Sequence, residues 1–395
     1  MSYRKFNADH LFTGDKILQG EYVLVTDDDG KVLDIIDIKD AGEDVEVFKG
    51  MITPGFVNCH CHLELSHLKN VVPAGTGLVE FVQQVMSKRI NATEDEKLAV
   101  MQQAEQELYD SGTVAVGDIC NTTDSIAIKQ KSNLQWHNFI EVSGFTDAFA
   151  AKRFDAANEI AQEFSKLKAN YSVVPHSPYS VSKKLFELIN DSTRGQLLSI
   201  HNQESQEENE LYKNKEGGFL DLYKNFGIDI SAFELTGKTS LQSWLPYLNN
   251  YQSIISVHNT FIDQPDIDLV DLPSNTVVRQ MHFCLCPNAN KYIENAMPPI
   301  ELLRKNDCRI VLGTDSYASN WQLNILEEIK IIQQDKTFSV PLVEILQWAT
   351  INGAKALQLD KALGSFEKNK QPGIVLINEI EDGNVTERSF ANRIL

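Results

Sequence analysis

The 395-residue chain lacks the features that mark a membrane protein, a secreted disulfide scaffold or a nucleic-acid binder. No apolar run approaches the roughly 18 residues of a spanning helix. The opening residues, Met1 to His10, contain no apolar core of the kind a signal peptide carries, so a cytoplasmic location is expected. Cysteines number only six, at positions 59, 61, 120, 284, 286 and 308, and in that compartment they are expected as reduced thiols. Positive charge is also scarce. Lys and Arg total 36 against 55 Asp and Glu, and the resulting net charge of −19 repels phosphate backbones. Neither nucleic acid nor membrane is therefore an expected partner, and a small-molecule substrate is. There is no internal repeat and no low-complexity tract. With 42% hydrophobic residues the chain has ample material for a large buried core.

The first ~50 residues alternate like short strands separated by turns. Residues 21–26 form one such run, the turn Asp27-Asp28-Asp29-Gly30 follows, and residues 32–38 and 45–48 are two more. From about Ile52 onward, short apolar runs alternate with helical stretches. The runs are 55–58, 113–116, 139–142, 172–174, 197–200, 254–257, 276–278 and 309–312. Thr93-Glu94-Asp95-Glu96 has the pattern of a capping box and opens a helix that stops near Gly112. Another helix is expected over 181–189. Eight apolar runs with helical spacers predict an α/β fold, a (β/α)8 TIM barrel. Residues 206–250 are longer than a usual crossover and are read either as a substrate-covering insertion or as an ordinary helical connection. Strand-like texture returns in the last ~35 residues, with 374–377 among them. The expected domains are residues 1–52 as one part of a small β-sandwich, 53–358 as the barrel, and 359–395 as the second part.

Asn58-Cys59-His60-Cys61-His62 follows the apolar Pro-Gly-Phe-Val. Successive side chains of a strand point to opposite faces, so His60 and His62 share a face and their imidazoles can converge on one ion, while Cys59 and Cys61 point away. The bland alternative is a pair of solvated histidines. Placement at the C-terminal end of a first barrel strand argues against it, because barrel active sites sit there. His201 ends the run 197–200 and is read as a metal ligand or a satisfied histidine. Glu204, three residues on, has the chemistry of a proton shuttle. His258 ends the run 254–257. Asp315 follows Val311-Leu312-Gly313-Thr314 and suits a ligand carboxylate, a general base or a helix cap. His176 ends the fourth run. Glu64 and His67 lie just past the first motif, Glu141 ends the third run, and Asn290 follows the seventh. These four are candidates for substrate contact or ordinary surface residues.

Ile52-Thr53-Pro54-Gly55-Phe56-Val57-Asn58-Cys59-His60-Cys61-His62 resembles the first-strand motif of the amidohydrolase superfamily. Pro175-His176-Ser177-Pro178-Tyr179-Ser180, His201 with Glu204, Ser256-Val257-His258-Asn259, Cys286-Pro287-Asn288-Ala289-Asn290 and Leu312-Gly313-Thr314-Asp315-Ser316 follow in the family order. Ala349-Thr350-Ile351-Asn352-Gly353-Ala354 resembles the exit from its barrel. Within the superfamily the pattern is closest to the cytosine, S-adenosylhomocysteine and aminodeoxyfutalosine deaminases. Cys286 and Ala289 depart from the usual seventh-strand residues, and Lys370-Gln371-Pro372-Gly373-Ile374 lacks the usual Ala-Asp.

The resemblance implies the barrel, a composite sandwich built from both chain ends, and a homodimer. It also implies one divalent ion per chain, held by His60, His62, His201 and Asp315, with His176 touching substrate. Val173-Val174-Pro175-His176 offers no lysine of the kind that bridges two metals in binuclear relatives. Three imidazoles and a carboxylate suit zinc, with iron as the alternative. The expected reaction is hydrolytic deamination of an aminated heterocycle, with an adenosine-like nucleoside among the candidates. Hydroxide generated at the ion attacks and ammonia leaves. Glu204, His258 and Asp315 are the expected catalytic residues. The rival activity is hydrolysis of a cyclic amide or a chlorotriazine on the same site. A non-catalytic metal-binding scaffold is a third reading, opposed by the retention of Glu204 and His258.

Overall fold

The computed structural model describes residues 3–271 and 280–395. The chain opens with seven short strands: β1 (Tyr3–Asn7), β2 (His10–Phe12), β3 (Ile17–Gln19), β4 (Tyr22–Asp27), β5 (Val32–Asp37), β6 (Glu46–Val47) and β7 (Met51–Pro54). Eight further strands follow: β8 (Phe56–Cys61), β9 (Thr113–Cys120), β10 (Gln135–Val142), β11 (Asn170–Pro175), β12 (Leu197–Asn202), β13 (Ser253–His258), β14 (Gln280–Leu285) and β15 (Ile310–Leu312). The chain closes with β16 (Ile374–Asn378) and β17 (Phe390–Arg393).

The terminal strands form two small sheets, in the orders β5-β4-β1-β6 and β17-β16-β7-β2-β3. The C-terminal β16 pairs antiparallel with β7, so residues 320 positions apart are neighbours, as in Ile374 opposite Pro54. Phe6, Leu24, Leu11, Ile52 and Ile374 pack into one apolar cluster drawn from both sheets. The turn at Asp27 is closed by Gly30 N–H donating to Asp27 O, with Gly30 at φ 86°, a conformation glycine adopts without steric cost.

The other eight strands form two parallel four-stranded sheets, β8 to β11 and β12 to β15, each in chain order. Parallel strands covered on both faces read as continuous apolar runs. Here β8, β9, β12 and β13 are buried at every position. Hydrogen bonds cross the seams between the two sheets. His201 N–H donates to His176 O over 3.0 Å, and the Thr314 and Asp315 N–H groups both donate to His60 O over 3.0 Å. Only Gly55 separates β7 from β8, and a Cβ there would sit 2.1 Å from Val114 Cγ1, so the chain can cross between the small sheets and the parallel ones only through glycine.

Most expected elements appear with shifted ends. The capping box at Thr93 and Glu96 is formed, and its helix runs Glu94–Asp110. The helix expected over 181–189 runs Lys183–Ser192, with Ser182 capping it. The seventh run is not tested. The run 276–278 lies outside the described residues, and the strand that pairs with β13 and β15 is Gln280–Leu285. The Met281-His282-Phe283-Cys284-Leu285 stretch hid this strand, since it lacks the β-branched residues that mark the other runs. Within 206–250 the chain forms helices Gln206–Asn214, Phe219–Asn225 and Ser240–Trp244.

Candidate active site

Every residue of the site lies at or just beyond the C-terminal end of a parallel strand. His60 is the penultimate residue of β8, and His62 leaves it at φ −124°, ψ 83°, turning into the 3-10 segment Leu63–Leu68. Cys59 donates weakly to Gly353 O, and Cys61 packs with Leu108 and Tyr317, so both thiols point away from the histidines. Cys59, Cys61, Cys120, Cys284 and Cys286 are free thiols.

The three imidazoles meet. His62 Nε2 lies 3.1 Å from His60 Nε2 and 3.2 Å from His201 Nε2. Asp315 Oδ1 lies 3.5 Å and 3.4 Å from the same atoms of His60 and His62. His201 Nδ1 donates to His176 O over 2.7 Å, which leaves Nε2 as a lone pair. Burial lowers the His62 pKa to about 3, against the opposing pull of Asp315, and lowers that of His201 as well. Neutral imidazoles whose lone pairs face one another repel unless a cation lies between them. Ligand distances of about 2.0–2.1 Å in a tetrahedral site put nitrogens about 3.3 Å apart, close to the separations seen. His60, His62, His201 and Asp315 thus fit a divalent metal ion, and their ligand atoms all lie within 4.8 Å of one another.

The carboxylate is placed by its surroundings. A Cβ at Gly313 would meet His60 Cβ at 2.8 Å, so a glycine is what lets the end of β15 approach β8 this closely. Asn58 ties the two strands together: its amide donates to Thr314 Oγ1 over 2.7 Å, and its Oδ1 accepts from Thr314 N over 3.1 Å. Ser319 Oγ donates to Asp315 Oδ2 over 2.6 Å. Burial would raise the Asp315 pKa, but the hydrogen bond from His60 and the charges of His62, His60 and His258 hold it well below the usual carboxylate range. Asp315 adopts φ 57° and His258 φ 71°. Left-handed backbone at such residues costs of order 1–3 kcal/mol and clusters at functional sites.

Glu204 and His258 lie beside this group. Glu204 Oε1 lies 3.5 Å from His258 Nε2, and both side chains are buried. His258 Nδ1 pairs with Asn290 Oδ1 at 2.8 Å, which makes Nδ1 the donor and leaves Nε2 as a base. Burial lowers the His258 pKa to about 4 and raises that of Glu204 well above the ordinary value, with Asp315 adding to the second effect. Burial thus favours the neutral form of both the Glu204 carboxyl and the His258 imidazole.

A cavity of about 380 Å3 opens on this group, lined by His62, Glu141, His176, His201, Glu204 and Asp315 and, on its apolar side, by Phe81, Phe145, Tyr179 and Leu222. A second cavity of about 870 Å3 shares Met86, Phe145, Arg153 and Tyr179 with it and is walled by Tyr212, Tyr223, Phe226 and Phe233. The 206–250 segment thus builds much of the second cavity and contributes Leu222 to the first.

The remaining sequence candidates divide. His176 is in the first cavity, with Nδ1 near Ser180 Oγ (2.6 Å) and Ser177 Oγ (2.9 Å). Glu141 is there too. Its Oε2 accepts from Asn121 Nδ2, and its Oε1 is buried without a hydrogen bond. Glu64 and His67 are not among the lining residues. Glu64 accepts from the N–H groups of Asn121 and Thr122, and burial raises its pKa to about 7. His67 bonds the Glu64 and Arg89 carbonyls. Asn290 acts on His258 rather than lining the cavity. The sequence reading missed Asn58, Asn121 and Ser319. Only Asn58 carried a signal, its adjacency to the histidine pair.

Comparison with known proteins fits this geometry. The Amidohydrolase family model matches residues 51–390. The chain is 26% identical over 377 residues to the 5-methylthioadenosine/S-adenosylhomocysteine deaminase of Pyrococcus abyssi, covering 90% of this chain and 78% of that one. Its fold is shared with the crystal structure of Helicobacter pylori aminofutalosine deaminase in complex with methylthio-coformycin, at a TM-score of 0.78 and 23% identity, covering 99% of this chain and 100% of the other. An atrazine chlorohydrolase from Arthrobacter aurescens TC1, complexed with zinc, superposes with a TM-score of 0.72 at 13% identity over 97% of this chain and 89% of that one.

Proposed function

Because this chain belongs to the amidohydrolase family, we propose that it is a metal-dependent hydrolytic deaminase of an adenosine-like nucleoside that releases ammonia. The observation that carries the reading is the buried Glu204–His258 pair beside the three converging imidazoles and Asp315. The resident cofactor is one divalent ion, zinc first and iron second, on His60, His62, His201 and Asp315. We read the two parallel sheets as halves of one (β/α)8 barrel, supported by the bridge between Cys61 and Asp315. Residues 1–52 and 359–395 are read as a composite sandwich beside a barrel of residues 53–358.

A cation bound there would supply Lewis acidity that lowers the pKa of a bound water toward neutrality. The chain's own groups do the rest. Asp315 and His258 Nε2 orient the attacking water and accept its proton. Glu204, whose proton burial favours, donates to the ring nitrogen beside the amine-bearing carbon and makes that carbon electrophilic. The proton taken from water by Asp315 and His258 then passes to the amine, which leaves as ammonia, and the proton of the new hydroxyl restores Glu204. His176, with Nδ1 occupied by serines, offers its other nitrogen to the purine. The apolar wall of Phe81, Phe145 and Tyr179 excludes water.

The relatives are named for adenosines altered at the 5′ position. The second cavity, reached past Phe145 and Arg153, has room for such an appendage. No carboxylate pairs with the Arg153 or Arg89 guanidinium among the described residues, although both line the first cavity, and such cations suit an anionic group on the appendage.

Ammonia release by metal-loaded protein across adenosine, 5′-deoxyadenosine, methylthioadenosine, S-adenosylhomocysteine and aminofutalosine tests the reading. A hit that vanishes in Glu204→Gln supports it. Silence across the panel with metal bound favours the cyclic amide or chlorotriazine alternative, assayed by carboxylate or chloride release.

A further inference from the structure

We propose that the buried ion pair between Asp118 and Lys129, outside the cavity, is a positioning device that sets the His62 imidazole in the metal group. The proposal rests on the metal reading above. Asp118 lies on β9 and Lys129 on the short helix Ile126–Lys129. Their side chains are 0% and 1% exposed, and Lys129 Nζ donates to Asp118 Oδ2 over 2.5 Å. The other carboxylate oxygen, Oδ1, accepts from Leu63 N over 2.8 Å. Leu63 directly follows His62, at the point where the chain leaves β8. The backbone turn that swings the His62 ring toward His60 and His201 is therefore fixed by a charge-assisted hydrogen bond to a group outside the cavity.

Lys129 ties the anchor to the next strands. Its Nζ also donates to Asn138 Oδ1 over 2.8 Å and lies 3.1 Å from Cys120 Sγ. Asn138, on β10, donates to Asn170 O at the start of β11. The ammonium sits near the Trp136 and Phe164 rings. Burial alone would lower the Lys129 pKa, but Asp118 first and then Cys120 raise it above the ordinary lysine value. One cation thus ties Asp118 on β9 to Asn138 on β10 and, through Asn138, to the start of β11.

Stability does not account for the pair. Replacing a buried ion pair by apolar groups of similar volume is often neutral or stabilising. What apolar groups cannot supply is an acceptor for Leu63 N–H. Groups that orient metal ligands typically change metal affinity by about 10–100-fold when removed.

The test is the double variant Asp118→Leu/Lys129→Met, loaded with zinc and titrated with a competing chelator. The expected result is a melting temperature near that of the unchanged protein, zinc affinity weaker by about 10–100-fold, lower kcat and little change in KM. A folded double variant with unaltered zinc affinity and kcat overturns the proposal. A purely structural role would move the melting temperature and leave zinc affinity alone. Amide hydrogen exchange of the unmutated protein, with and without zinc, gives a second arm that needs neither folding of the variant nor deaminase activity. Leu63 N–H protected in both states supports the anchor, and Leu63 N–H exchanging as fast as exposed turn amides without zinc overturns it. A protein that deaminates nothing but shows both effects would refute the proposed substrate and leave this inference standing.

Discussion

Glu204 Oε1 faces His258 Nε2 across 3.5 Å in a buried pocket, an acid and a base whose protonation states are set by opposite effects of the same burial. Burial raises the carboxyl pKa because it penalises the anion, and lowers the imidazole pKa because it penalises the cation. Pairs of titratable groups pushed apart in this way mark acid and base roles. Glu204→Gln keeps the shape and removes the transferable proton. Turnover is expected to fall about 10²–10⁴-fold while bound zinc stays near one per chain. Steady-state kinetics beside elemental analysis checks both, and full turnover in Glu204→Gln would sink the shuttle role.

His258 is a base only because Asn290 Oδ1 holds its Nδ1 proton, at 2.8 Å. Asn290→Ala frees the tautomer, and kcat should drop by about 10–100-fold, as for other orienting partners. Asn290→Asp should act differently. A carboxylate at Nδ1 favours the imidazolium, so the His258 pKa rises above about 4. The acid limb of the kcat–pH profile then moves to higher pH. A limb that stays in place would show that His258 does not carry that ionisation.

Away from the site, His137 on β10 is buried between Phe139 and Ser172, and burial depresses its pKa to about 4. In the unfolded chain it titrates near 6.5. The folded value lies below the unfolded one for a base, so the unfolded state takes up a proton first as pH falls. Stability is full above about pH 6.5 and declines toward pH 4, by roughly 3 kcal/mol for this group. Buried Glu328, raised to about 8 by burial, works the other way: its contribution is full below about pH 4.5 and is lost as pH rises through 8. Comparing melting temperatures of wild type and His137→Leu at pH 7.5 and 5 isolates the first effect. The wild type should lose more on acidification, and equal losses would refute the assignment.

The strand ends made most of the site legible. His60, His62, His201, His258 and Asp315 each terminate an apolar run, and the sheet brings run ends together whatever lies between them. Glu204 was readable because it lies three positions beyond His201. Asn58 and Gly313 carry no chemistry of their own, and their roles arise only where β8 and β15 meet, 256 residues apart for Asn58 and Thr314. Glu64 and His67 look like site residues by proximity to the histidine pair. Local backbone groups, the Asn121 and Thr122 amides and the Arg89 carbonyl, satisfy them instead. The seventh run, 276–278, lies outside the described residues, and the strand Gln280–Leu285 that pairs with β13 and β15 carries no β-branched run.

Arg153 offers the sharpest test of substrate class. Arg153 lines both cavities, and no carboxylate pairs with its guanidinium among the described residues, in a chain with 19 more acidic than basic groups. If the substrate carries an anionic group on its appendage, Arg153→Met should raise KM for S-adenosylhomocysteine or aminofutalosine. A lost charge-assisted contact of about 1.5–3 kcal/mol corresponds to roughly a 10- to 150-fold loss of kcat/KM. For methylthioadenosine, which has no anion there, kcat/KM should change less than about threefold, because an exposed arginine at the cavity edge contributes mainly packing. Salt separates the causes further. The charged substrate should lose affinity with rising ionic strength in the wild type and lose that dependence in Arg153→Met. Equal losses for charged and uncharged nucleosides would assign Arg153 to cavity shape and remove the case for an anionic substrate.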